Sequence, residues 1–76
     1  MLFRLKVKEI AQQKGLSQRQ LFLQSGVDIT IIRRIFHNPH TNITLETLAR
    51  IAKVLETDIS ELVESVSGDE KNGEGV

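Results

Sequence analysis

Residues 18–36 decide the fold, and they read Gln18-Arg19-Gln20-Leu21-Phe22-Leu23-Gln24-Ser25-Gly26-Val27-Asp28-Ile29-Thr30-Ile31-Ile32-Arg33-Arg34-Ile35-Phe36. Two segments with helical spacing of apolar residues lie on either side of Gly26 and Val27. Glycine is suited to end the first helix because it adopts the left-handed backbone conformation without steric cost. Asp28 is a good N-cap for the second helix. The stretch therefore predicts two short helices joined by a tight turn, the second running from about Asp28 to Phe36.

The residues before this stretch predict another helix and a defined start for the first helix of the pair. Apolar residues recur at helical spacing from Val7 to Ala11, and Gly15 supplies a helix end. Ser17 and Gln20 have the spacing of a capping box, in which each side chain bonds the other residue's backbone amide. We therefore expect the second helix of the chain to begin directly after Ser17.

The residues after the stretch predict a loop and two more helices. Residues 37–44 include Asn38-Pro39 and several small polar residues, which is typical of a loop. Thr44 is placed to cap a fourth helix that ends near Leu55. A second capping box, Asp58-Ile59-Ser60-Glu61, predicts a short fifth helix. The side chains that we expect this last helix to bury are Ile59, Leu62 and Val63.

These elements together predict an all-α, compact five-helix domain over residues 1–66. The segment from Leu2 to Val7 has a strand-like pattern and could pair with Leu62 to Val66, either within one chain or across a dimer. Residues 67–76 are polar, acidic and without periodicity, so we expect a disordered tail there.

Composition and charge limit the classes of function. The absence of cysteine excludes disulfides and thiolate metal sites, and no apolar run approaches the roughly 20 residues that cross a bilayer. We therefore expect a cytoplasmic protein with no membrane partner. The net charge is zero, but residues 1–40 carry seven basic and two acidic side chains (+5), whereas residues 41–76 carry three and eight (−5). Because exposed charges are screened beyond about 8 Å, the basic half can still face a polyanion.

About residues 5–64 resemble the phage repressor and Cro type of helix-turn-helix domain, the XRE family. The resemblance rests on Gly15-Leu16-Ser17-Gln18, on Gly26-Val27 at the turn, and on Leu45–Leu55 followed by Asp58–Leu62. It places the helix-turn-helix motif at about residues 17–36 of a five-helix, lambda-repressor-like fold. It implies sequence-specific binding of double-stranded DNA by a transcription regulator, in this case expected to be a repressor, and a homodimer. We expect no cofactor, metal ion or small-molecule ligand.

The geometry of the helix from Asp28 to Phe36 supports a DNA-facing side. At about 100° per residue, the apolar side chains of Ile32 and Ile35 fall near 200° and 140° when Thr30 is set at 0°. Polar and basic side chains occupy the opposite arc, between about 300° and 40°, as a helix in a major groove requires. The residues of this arc are Thr30, Arg33, Arg34 and His37.

By the resemblance, the base-reading positions fall on Ile29, Thr30 and Arg34. Arg34 is the best candidate for a two-bond contact with guanine, worth about 1–3 kcal/mol of discrimination. Gln18 matches a position that grips a phosphate, aided by the positive end of its helix. The alternative interpretation of Arg33 and Arg34 is a solvated helix face. The complete predicted DNA-binding set is Gln18, Arg19, Ile29, Thr30, Arg33, Arg34, His37, Asn38, His40 and Asn42.

Three features depart from the pattern of the family. Ala11 and Phe36 replace a partly buried arginine–glutamate pair, so we predict that Phe36 packs near Ala11 in its place. Phe22 replaces an alanine, which predicts either rearranged packing or a side chain along the edge of the helix interface. Glu56 replaces the glycine that ends the fourth helix, at a cost of about 1 kcal/mol if its backbone is left-handed.

Two other classes of function compete with DNA binding. An enzyme or a metal site would have to use His37 and His40, but no further histidine or cysteine completes a metal site, and we expect no enzymatic activity. A protein-binding module, such as an antitoxin or another partner-binding domain, is favoured by Ile29 and Ile31, which are unusually apolar for a DNA-facing helix. Together with Phe36 they could form a partner or dimer surface.

Overall fold

The computed structural model describes residues 2–66, in which four α-helices and a 3-10 turn stand beside a two-stranded sheet. The predicted disordered tail, residues 67–76, lies outside the described residues. The longest of the helices has 11 residues, and none is long and apolar enough to cross a membrane. The elements in chain order are β1 (Leu2–Leu5), α1 (Val7–Gln13), α2 (Gln18–Ser25), α3 (Ile29–His37), α4 (Leu45–Leu55), the 3-10 turn (Ile59–Glu61) and β2 (Val63–Val66).

The helix boundaries follow the capping residues that the sequence predicts. The Ser17 amide donates to Gln20 Oε1 at 2.9 Å and the Gln20 amide donates to Ser17 Oγ at 3.1 Å, so the capping box of α2 is formed. Gly26 ends α2 with a φ of 75°. Asp28 Oδ1 accepts the Thr30 amide at 2.8 Å at the start of α3. Only two residues therefore separate the cap of α3 from the end of α2, as the tight turn requires.

The prediction of a fifth α-helix is wrong. Residues 59–61 form a single 3-10 turn, in which the carboxylate of Asp58 accepts hydrogen bonds from the amide and the hydroxyl of Ser60 at 3.0 and 2.6 Å. The chain then enters β2, where strand pairing satisfies the backbone groups that a longer helix would have bonded internally. Leu62 is buried as expected, while Ile59 and Val63 are half-buried against the core. The domain is thus mostly helical rather than all-α.

The strands pair within one chain, which decides between the two arrangements that the sequence left open. β1 and β2 run antiparallel, with Leu5 opposite Val63 and Arg4 opposite Glu64. The guanidinium of Arg4 bonds the carboxylates of both Glu9 and Glu64. The hydrogen bond from Arg4 holds the pKa of Glu9 below its usual range, and the hydrogen bonds from Ser60 lower the pKa of Asp58 likewise.

The core lies where α2, α3 and α4 meet, and α1 and the last turn before β2 close it. α4 supplies four of its buried side chains, in keeping with its predicted apolar stripe. No polar or charged side chain is buried between residues 2 and 66. The core residues are Leu5, Val7, Ala11, Leu21, Val27, Ile32, Ile35, Leu48, Ile51, Ala52, Leu55 and Leu62.

Both departures that involve phenylalanine are accommodated at the margin of this core. Phe36 is half-buried and packs against the cluster that contains Ala11, in agreement with an apolar contact in place of an ion pair. Phe22 is also half-buried against the cluster, whereas the neighbouring Leu21 is fully buried. The Phe22 side chain therefore lies along the edge of the helix packing.

Replacing Glu56 by glycine is expected to stabilise the protein. Glu56 ends α4 with a φ of 56° and a ψ of 45°, a left-handed conformation that costs a residue with a Cβ about 1 kcal/mol or more. We expect Glu56→Gly to raise the free energy of unfolding by up to about 1 kcal/mol, with part of the gain offset by the greater freedom of glycine in the unfolded chain. A gain of that size raises Tm by roughly 4–8 °C in a domain of this length.

Glu56→Ala is the matched control, because it removes the same carboxylate but keeps the Cβ and its left-handed strain. Thermal unfolding followed by circular dichroism should show a higher Tm for Glu56→Gly than for Glu56→Ala. Equal values for the two variants would contradict the attribution of strain to this residue.

Candidate nucleic-acid interface

The outer face of α3 carries the polar arc that the sequence predicts. Ile32 and Ile35 are each 1% exposed and hold the opposite face of the helix against the core. This burial fixes the rotation of α3, so the arc cannot turn inward without exposing two isoleucines. The side chains that the structure leaves exposed on the outer face are Thr30, Arg33, Arg34 and His37.

The cationic groups of this arc are not consumed by ion pairs. Within residues 2–66 the ion pairs involve Arg4 and Arg50, which bind glutamates on the sheet, on α1 and on α4. Neither Arg33 nor Arg34 takes part in one of them. Their guanidinium groups can therefore donate to an external acceptor, since Arg carries five N–H donors in a fixed planar fork.

The apolar residues of α3 divide into two kinds. Ile31 is half-buried and packs against the core, and it faces α4 beside Thr47. Ile29 is half-buried but lies outside the set of side chains that pack on the core. The remaining strongly exposed apolar side chains, Leu23 (62%) and Leu45 (69%), are on other helices, and isolated exposed side chains of this kind are normal. The apolar surface that would favour a protein partner is thus smaller than the sequence suggests.

The first turn of α2 brings two further predicted residues close to α3. Gln18 is half-buried and Arg19 is exposed. Gln18 lines the same surface groove as Arg33 and His37, so the structure joins these predicted residues into one site. Lys8 of α1 lines this groove too.

Sequence reasoning missed Lys8 and, four residues later, Gln12. Residues four apart share one face of a helix, and this spacing was the available signal. It could not show that this face of α1 meets the start of α2.

The loop after α3 is held by the N-terminal strand. His40 Nδ1 lies 2.7 Å from the carbonyl oxygen of Phe3, and the Leu5 amide donates to the carbonyl of Pro39 at 2.7 Å. Asn38 Oδ1 accepts the amide of His40 at 3.1 Å. Asn42 is exposed. His40 and Asn38 therefore have bonds within the domain, and a DNA contact by either remains a prediction.

The described part of the chain holds no cluster of three or more histidine, cysteine, aspartate or glutamate side chains that could bind a metal ion. His37 and His40 lie on different features, the first on the outer face of α3 and the second against β1. The chemistry available at the outer face of α3 is therefore hydrogen bonding and charge.

Comparison with known proteins agrees with this geometry. The family model described as Helix-turn-helix matches residues 7–62, which span all four helices and the 3-10 turn. The crystal structure of a candidate DNA-binding protein from Bacteroides fragilis superposes with a TM-score of 0.73 at 24% sequence identity, over 83% of this chain and 100% of that one. This likeness shows a shared fold. No curated protein matches the chain in sequence.

Proposed function

Because the chain belongs to the XRE-type helix-turn-helix family of DNA-binding regulators, we propose that it reads double-stranded DNA by placing α3 in the major groove. The observation that carries this proposal is the exposed polar arc of α3, whose opposite face is locked into the core by Ile32 and Ile35. A helix presented in this way fits the width of the major groove and can reach base edges.

We assign the base contacts to the first half of the arc. Arg34 is exposed and its guanidinium can donate two hydrogen bonds to O6 and N7 of one guanine. Thr30 can bond a base edge or contact a thymine methyl group, and Ile29 offers an apolar contact of the same kind. Arg19, at the start of α2, is placed for the phosphate backbone, as is Asn42 in the loop after α3.

In this proposal residues 1–66 are the DNA-binding domain, and the protein acts as a repressor by occupying its site as a homodimer. A dimer of such domains reads two half-sites about one helical turn apart, so its binding site would be pseudo-palindromic.

Selection of DNA fragments from a random pool tests the function directly. The purified full chain should enrich one sequence motif, and affinity for that motif should fall as salt rises, with a slope near −0.9 for each phosphate contacted. An antitoxin-like protein partner bound through Ile29 would instead show an affinity that hardly changes with salt. Failure to enrich any motif, together with no salt-dependent binding of duplex DNA, would contradict the proposal.

A further inference from the structure

A surface groove lies where α1, the first turn of α2 and the second half of α3 meet. Its volume is about 620 Å³. Three separate elements contribute to its walls, so it is a feature of the tertiary fold and not of the helix-turn-helix motif alone. It opens beside the proposed base-reading face because Arg33 and His37 of α3 belong to its lining.

The lining of the groove is chemically suited to a phosphodiester. Lys8 and Arg33 bring two positive charges from different helices, and no acidic residue lines the groove. The apolar part of the lining is Leu16 and Phe36, both half-buried against the core. A charged wall beside an apolar floor matches a phosphate joined to a sugar.

Both cations are available to a ligand. Among residues 2–66, neither Lys8 nor Arg33 forms an ion pair. The acidic neighbour of Lys8 in the sequence, Glu9, is bound by Arg4 instead. The hydroxyl of Ser17 caps the Gln20 amide, which leaves the first amides of α2 without a partner inside the helix.

We propose that this groove seats one phosphodiester unit of the DNA backbone, with the phosphate against Lys8 and Arg33 and the deoxyribose against Phe36 and Leu16. The inference rests on the proposed DNA binding and deepens it, because it divides the two adjacent arginines of α3 by role. Arg33 holds the backbone from within the groove, while Arg34 reads a base. It also makes Lys8 of α1 a DNA contact.

Lys8→Gln tests the groove, because it removes one charge from an exposed side chain and should leave the fold intact. Measured on the selected DNA, the slope of log K against log salt should become shallower by about 0.9. Between 50 and 200 mM salt the wild type should therefore lose about 3.5-fold more affinity than the variant. The loss should be the same on every DNA sequence, since a phosphate carries no sequence information.

Two variants serve as controls. Lys53→Gln removes an exposed lysine from α4, outside the groove, and should leave the slope unchanged. Lys8→Arg keeps the charge and should keep the slope. Unchanged thermal unfolding of Lys8→Gln shows that the effect on binding is local.

A scan of the selected duplex with single neutral methylphosphonates identifies the phosphate. At one position the substitution should weaken the wild type but cost Lys8→Gln nothing further. If the wild type binds the duplex and Arg34→Ala weakens that binding, while Lys8→Gln has the wild-type slope and methylphosphonate profile, the groove proposal fails and the proposed function stands. If the wild type binds no duplex, both are overturned.

Discussion

Ile35→Ala is expected to lower the free energy of unfolding by about 2–5 kcal/mol, the range typical of truncating a fully buried isoleucine. Ile35 is 1% exposed, and its side chain fills the space between α3 and the rest of the core. Truncation to alanine removes buried methyl groups and leaves a cavity that the packed neighbours fill only in part. Domains have a total stability of roughly 0.05–0.15 kcal/mol per residue, so this loss takes a large share of what 76 residues can supply.

Ile29→Ala is the matched control, because it makes the same chemical change on the same helix. Ile29 is half-buried and does not pack on the core, so its truncation should cost less than about 1 kcal/mol. Urea unfolding of the two variants gives the comparison through their midpoints, provided the slopes with denaturant are the same. Similar losses in both variants would mean that α3 does not turn Ile35 inward and Ile29 outward, and its rotation would have to be revised.

The helix boundaries could be predicted from sequence because each depends on a few neighbouring residues. Ser17, Asp28 and Thr44 each accept the amide of a residue two or three positions further on, as expected for N-caps. The left-handed ends at Gly26 and Glu56 are equally local. Nothing distant in the chain has to be known to place these features.

The sheet and the last turn could not be predicted in the same way. β1 and β2 have four residues each, too few for a periodic pattern to distinguish a strand from a short helix. Their pairing joins residues about 60 positions apart, such as Arg4 and Glu64. The burial of Leu62 fits either structure, so the predicted fifth helix could not be rejected from the pattern of apolar residues.

The candidate site divides along the same line. The outer face of α3 follows from the spacing of Ile32 and Ile35, so Arg34 could be placed on it from the sequence alone. The groove depends on how α1 crosses the other helices, which tertiary packing decides. Lys8 therefore entered the site only once the structure showed that it shares a groove with Arg33.

Arg34→Ala is expected to weaken binding of the selected DNA by about 5- to 150-fold, the equivalent of roughly 1–3 kcal/mol. Arg34 is exposed on the outer face of α3 and forms no ion pair among residues 2–66, so its loss should not disturb the fold. Because a two-bond contact to guanine carries sequence information, a repeated selection with the variant should lose preference at one base pair of each half-site. Arg34→Lys should not restore it, since lysine lacks the planar pair of donors.

Arg33→Ala is the informative comparison, because the two residues are adjacent, exposed and equal in charge. If Arg33 holds a phosphate, its variant should lose affinity on all sequences alike, with a shallower dependence on salt and an unchanged selected motif. A motif that changes with Arg33→Ala and not with Arg34→Ala would exchange the two roles, and it would place α3 in the groove with a different rotation. A motif unchanged by both variants would remove α3 from base reading, whatever the affinity of the protein for DNA.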